Sequence, residues 1–133
     1  MFLNKLDTQA KEVFLNLAHL VARSDESFSD MQKVLINGYL KEMNIEDIDF
    51  KENEFSLVDC ISKVTNKDYQ KIIIIELLAI VYTDSIMHPA EKEIIDTIVD
   101  TWKINSSLVV VYGEWSKSLL SLFIQGEALL ELN

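Results

Sequence analysis

The residues best placed to do chemistry are carboxylates set in two short polar stretches. Asp25, Glu26 and Asp30 lie in the first, and Asp84 and Glu91 in the second. Gathered on one face, they would form an oxygen-rich cluster suited to a hard cation such as Ca²⁺, Mg²⁺ or Mn²⁺. The same residues have a second reading. Asp25 and Asp84 are loop acids able to accept backbone amides, and Glu91 falls where a third helical residue completes a cap. Neither stretch is an EF-hand, because the Asp-x-Asp-x-Asp-Gly ladder and its distal Glu are missing.

Other chemistries find little support. No Glu-x-x-His pair, His-Glu-x-x-His run, glycine-rich phosphate loop or nucleophile elbow occurs. Cys60, the one cysteine, sits among apolar neighbours and reads as a buried hydrophobe. His19 lies between an apolar helix face and solvent, and His88 at a helix start. The sequence therefore points away from an enzyme.

The chain has 133 residues, enough for one domain over 1–133 with a core of its own. Three glycines and one proline favour long helices over the many turns of a small β fold. Twelve basic against twenty-two acidic residues give a net charge of −10. That surface repels phosphate backbones, so nucleic acid is not an expected partner, and a basic protein surface or a cation is. No leader-like segment opens the sequence and no run reaches the ~20 apolar residues of a membrane span. A cytoplasmic protein without membrane insertion, working with an unknown protein partner, is the expectation.

The carboxylates must be held by helices. Asp7 or Thr8 caps a helix to about Ser24, with Ala10, Val13, Phe14, Leu17, Ala18, Leu20 and Val21 inward. Ser29 and Gln32 form a capping box for a helix to about Met43, with Val34, Leu35, Tyr39, Leu40 and Met43 inward. Gly38 lies inside it, at a cost of ~1 kcal/mol that close approach of another helix would offset. The acidic 44–53 is a loop anchored by Ile48 and Phe50, and Phe55 to Val64 a short helix. Thr65 or Asn66 caps Ile72 to Tyr82, the most apolar run of the chain. The four isoleucines there favour strand on propensity, but the run is long and has no second strand to pair with. It reads as a buried helix in which Glu76 must find a partner. His88, Pro89 and Glu91 start the next helix, and Asn105 or Ser106 a last one to about Ile124. Its inward face is Leu108, Val111, Tyr112, Trp115, Leu119, Leu122 and Phe123. Gly126 loosens its end, and Leu129 and Leu130 dock a final turn.

An internal repeat organises these elements. At an offset of 84 − 25 = 59, Ser24-Asp25 falls on Thr83-Asp84, Gln32-Lys33 on Glu91-Lys92, and Ile45 on Ile104. Two helix–loop–helix hairpins, about 8–45 and 67–104, are implied, packed about a pseudo-two-fold axis.

The stretch Leu17 to Lys33, Leu-Ala-x-x-Val-Ala-x-Ser-Asp-x-x-Phe-x-x-x-Gln-Lys, resembles the TerB-like family associated with tellurite resistance and stress response, as does Leu78 to Lys92. Members read Asp-Gly, a few residues, then an acid and often Lys, twice per domain. The resemblance implies an all-α, single-domain helical bundle of about six to seven helices built from two pseudo-symmetric hairpins. It also implies a non-enzymatic module that binds a divalent cation at its loop acids or serves as an adaptor. The matching positions are Asp25, Asp84 and Glu91. Glu26 and Ser85 replace the family glycines, and Gln32 replaces the first acid, which weakens that half-site while Glu26 and Asp30 restore charge. The alternative is a protein-interaction domain whose metal site is degenerate.

Overall fold

The computed structural model describes residues 1–24, 30–82 and 87–133. Six α-helices occur among them and no strand: α1 Thr8–Arg23, α2 Asp30–Met43, α3 Leu57–Ile61, α4 Lys67–Val81, α5 Pro89–Trp102 and α6 Ser106–Leu130. The two 3₁₀ turns are Leu3–Lys5 and Glu52–Glu54. The chain is an all-α helical bundle.

Local chemistry sets the helix starts. Asp7 Oδ1 accepts the Ala10 amide at 2.8 Å. Asn66 Oδ1 accepts the amides of Asp68 and Tyr69 at 2.9 and 3.1 Å, and Asn105 Oδ1 that of Ser107 at 2.8 Å. Each satisfies amides that the first turn leaves without a partner. The expected cap at Ser29 lies outside the described residues.

α4 is the centre, packed between α1 and α6. Ile73, Ile74, Leu77, Leu78, Ile80 and Val81 have no exposed surface, and neither do Phe14, Leu15, Leu17 and Val21 of α1. A helix covered on both sides overrides the strand preference of its isoleucines, because burial outweighs propensity differences of at most ~1 kcal/mol. Two side-chain donors in this core reach backbone carbonyls. Trp102 Nε1 donates to the Ile61 carbonyl at 3.0 Å, and Gln70 Nε2 to the Val64 carbonyl at 2.8 Å.

Two helices keep the offset of 59 at both bounds. α2 begins at Asp30 and ends at Met43, and α5 begins at Pro89 and ends at Trp102. Each is followed by a residue in the left-handed region, Asn44 (φ 55°) and Lys103 (φ 56°). The next amide reaches back across the turn in both, Ile45 to the Leu40 carbonyl and Ile104 to that of Val99, at 3.1 and 3.0 Å. These are Schellman endings, which return the last carbonyls to a donor. A lysine from the preceding helix also reaches each end, from positions the offset does not equate: Lys11 Nζ at the Met43 carbonyl, 3.4 Å, and Lys67 Nζ at the Trp102 carbonyl, 3.1 Å.

Several expectations need correction. Val34 is exposed, because α2 buries Gln32, Ile36, Tyr39 and Met43, and Val34 lies about 200° round the helix from both Gln32 and Ile36. Gly38 faces solvent with open space where a Cβ would stand, so no helix approaches it. His19 is buried and not at an edge. The helix expected over 55–64 is confined to Leu57–Ile61.

The largest correction concerns α6. It runs six residues past Ile124, through Gly126, to Leu130. Val111, Trp115, Leu122 and Phe123, expected inward, are exposed, and so are Leu129 and Leu130. The side that meets the body carries Val109, Tyr112, Gly113 and Ser116. Small residues select it. A Cβ on Gly113 would stand 3.2 Å from the Tyr82 ring, so the absent side chain lets Tyr82 lie against the helix. Lys117 Nζ covers that ring at 4.6 Å from its centroid.

Candidate functional site

The proposed cation ligands divide between described and undescribed residues. Asp25, Glu26 and Asp84 lie outside the described residues. Asp30 opens α2 with a fully exposed side chain, 3.8 Å from Lys33 Nζ. Glu91, by contrast, is buried in the first turn of α5, and its Oε1 accepts the His88 amide at 3.1 Å. Its capping role is therefore in place. Among the described residues no three His, Cys, Asp or Glu side chains converge as a metal would require.

Two other polar clusters are each built on a buried group, His19 and Glu76. His19 on α1 stands between Arg23 and Asp47. Arg23 Nη1 lies 2.6 Å from Nδ1, and Asp47 Oδ1 lies 2.6 Å from Nε2. A guanidinium can only donate, so Nδ1 accepts and the proton on Nε2 is given to Asp47. Phe50 stacks on the imidazole at 5.9 Å and 13°, and the Arg23 guanidinium lies 5.7 Å from the Phe50 ring centre. The acidic loop is thus clasped to α1 at Asp47 and Phe50. The spacing of His19 and Arg23, one helical turn apart, was the sequence signal for half of this cluster; the third partner, Asp47, carried none.

The second cluster answers the question of Glu76. This buried carboxylate accepts the Phe2 amide at 2.8 Å and lies 3.0 Å from the Met1 ammonium. Glu42 of α2 accepts the Leu3 amide at 2.8 Å and that ammonium at 2.6 Å. Two carboxylates from different helices therefore hold the first turn of the chain. Burial alone would lower the ammonium pKa, but its bonds to Glu42 and Glu76 outweigh that and raise it. The docking places the Phe2 ring 5.9 Å from that of Trp115 on α6.

Shallow grooves flank Phe55. One, of about 330 Å³, is lined by Asn16, Asp49, Phe50, Lys51, Glu54 and Phe55. The other, of about 370 Å³, runs between α1 and α5 past Leu20, Leu57 and Ile94, with Glu52, Glu93 and Thr97 at its rim. Their linings pair apolar floors with acids and hold no histidine or cysteine.

The most distinctive surface is α6. Val110, Val111, Leu122, Phe123, Ile124, Leu129 and Leu130 are each more than three-fifths exposed on this one helix. It is long and apolar enough, by length and composition, to cross a membrane. Exposed apolar residues gathered on one helix mark an interaction site more often than singly scattered ones do. No family model matches the chain, and no curated protein or solved structure is significantly similar to it.

Proposed function

We propose that this chain is a non-enzymatic helical interaction module of the TerB-like type whose working surface is the outward apolar side of α6. The observation that carries the reading is the exposure of Val111, Trp115, Leu122 and Leu129 along a helix whose other side is anchored on α4. Desolvating such residues against a partner is the main favourable term in association. The α1–α2 and α4–α5 hairpins are then a doubled scaffold, read as pseudo-symmetric. Their matched bounds and left-handed endings support that reading.

The test is capture by the immobilised full chain, with and without chelator, compared with Leu122→Asp. A partner retained in chelator and lost with Leu122→Asp is the expected result. Retention unaffected by Leu122→Asp would refute α6 as the surface. Cation binding at Asp25, Glu26, Asp30, Asp84 and Glu91 is a separable proposal, probed by calorimetry with Ca²⁺, Mg²⁺ and Mn²⁺. Heat that vanishes in Asp84→Asn supports it, and no heat in wild type removes it.

A further inference from the structure

The groove between α1 and α5 takes a single stripe of α5. Ala90, Glu93, Ile94 and Thr97 follow one another at helical spacing and share one side of that helix. Leu20 of α1 lines it too, and Phe55 and Leu57 complete its apolar lining. These apolar residues stay partly exposed, because α1 and α5 both pack on α4 and leave a furrow between them. The rim is acidic. Glu52 and Glu93 are exposed there, and among the described residues no lysine or arginine lines the groove. The neighbouring groove, which shares Phe55, adds Asp49 and Glu54 against Lys51. The ion pairs among the described residues use none of these four carboxylates.

We propose that this groove docks a short basic segment of a partner protein, with aliphatic side chains in the furrow and flanking lysines or arginines at Glu52 and Glu93. The contact is separate from α6, none of whose residues lines the groove. Charge complementarity selects the occupant. Four unpaired carboxylates against one lysine, around a shared apolar floor, repel acidic peptide, phosphate and anionic lipid. The same field disfavours a second copy, which brings a net charge of −10 and no cluster of basic residues. The form of the furrow favours a chain over a small free cation. Its volume of about 370 Å³ lies near the lower end of the ~300–1,000 Å³ of small-ligand sites, and it is too shallow to enclose a molecule as those do. A peptide gains from each side chain it seats and needs no enclosure. Desolvation of the floor then supplies affinity, and the carboxylates supply orientation and association rate.

The experiment is fluorescence anisotropy of a labelled peptide of leucines flanked by lysines, titrated with the full chain. Glu52→Lys/Glu93→Lys reverses the rim. Glu127→Lys/Glu131→Lys makes the same change in net charge at exposed positions near the end of α6. Wild type, the α6 double variant and Leu122→Asp are expected to bind alike. The rim variant is expected to raise the dissociation constant at least ~10-fold. Serine for leucine in the peptide should weaken binding by a similar factor, and glutamate for lysine should abolish it. Amide shifts in a wild-type titration are expected at Leu57, Ile94 and Thr97, and they decide the matter if the rim variant unfolds. No binding by wild type overturns the proposal, as does equal weakening in the two double variants, which makes net charge the cause. A serine peptide that binds as well as the leucine one overturns the furrow's part. Binding lost with Leu122→Asp, or shifts confined to α6, overturns the groove and places the peptide on α6. Failure of the groove otherwise leaves the reading of α6 as it stood, because none of these outcomes depends on that surface.

Discussion

Glu76 is the one charged residue in the apolar run of α4, and its substitution separates two accounts of what it does. It is buried, accepts the Phe2 amide and lies beside the Met1 ammonium. Glu76→Ala removes the acceptor and leaves the Phe2 amide, partly buried, without a partner, which costs ~1–3 kcal/mol. Loss of the ammonium contact adds little, because that group is about half exposed and Glu42 still holds it. A total of ~1–3 kcal/mol follows, or a fall in melting temperature of roughly 5–10 °C for a domain of this size. Glu76→Gln keeps an amide oxygen for Phe2 and is expected to cost about 1 kcal/mol. The assay is urea unfolding followed by circular dichroism, paired with fluorescence in a Trp102→Phe background where Trp115 alone reports. Once Phe2 undocks, the Trp115 emission moves to the red in Glu76→Ala and not in Glu76→Gln. Equal stability of the alanine and glutamine variants, or an unmoved Trp115 spectrum, would refute the idea that this carboxylate docks the first turn.

Two further outcomes concern the core. Trp102→Phe leaves the Ile61 carbonyl without its donor, so the urea midpoint should fall by the equivalent of about 1–2 kcal/mol, and an unchanged midpoint would count against that bond. Burial pushes the Cys60 thiol up to about 11 from 9.0, with Lys63 opposing. The folded state keeps that proton longer, so the thiol's contribution is complete below pH 9 and is lost as pH rises through about 11. Wild type should lose more stability than Cys60→Ala across that window, and parallel pH profiles would show that the thiol is not the cause.

Much of the fold was legible because its signals are local. Asp7, Asn66, Asn105 and the His88-Pro89-Glu91 start act through the first turn of their own helices, so a few adjacent residues suffice to read them. The offset of 59 was legible for the same reason, since Asp7 and Asn66 are local start signals one offset apart. Of the candidate cation ligands, Asp30 and Glu91 share a place at a helix start, but only the packing turns Glu91 inward and leaves Asp30 in solvent. His19 is buried because a loop residue 28 positions away supplies Asp47, a pairing that periodicity does not encode.

The sequence alone determined that the chain is helical, where most helices begin, and that its central run is buried. It put the wrong side of α6 inward, because that helix carries apolar residues on more than one side and a hydrophobic period then selects no single face. Tertiary structure decided it through shape: Gly113 and Ser116 let α6 settle close to α4 and Tyr82, and the bulkier Val111, Trp115, Leu122 and Leu129 were turned outward.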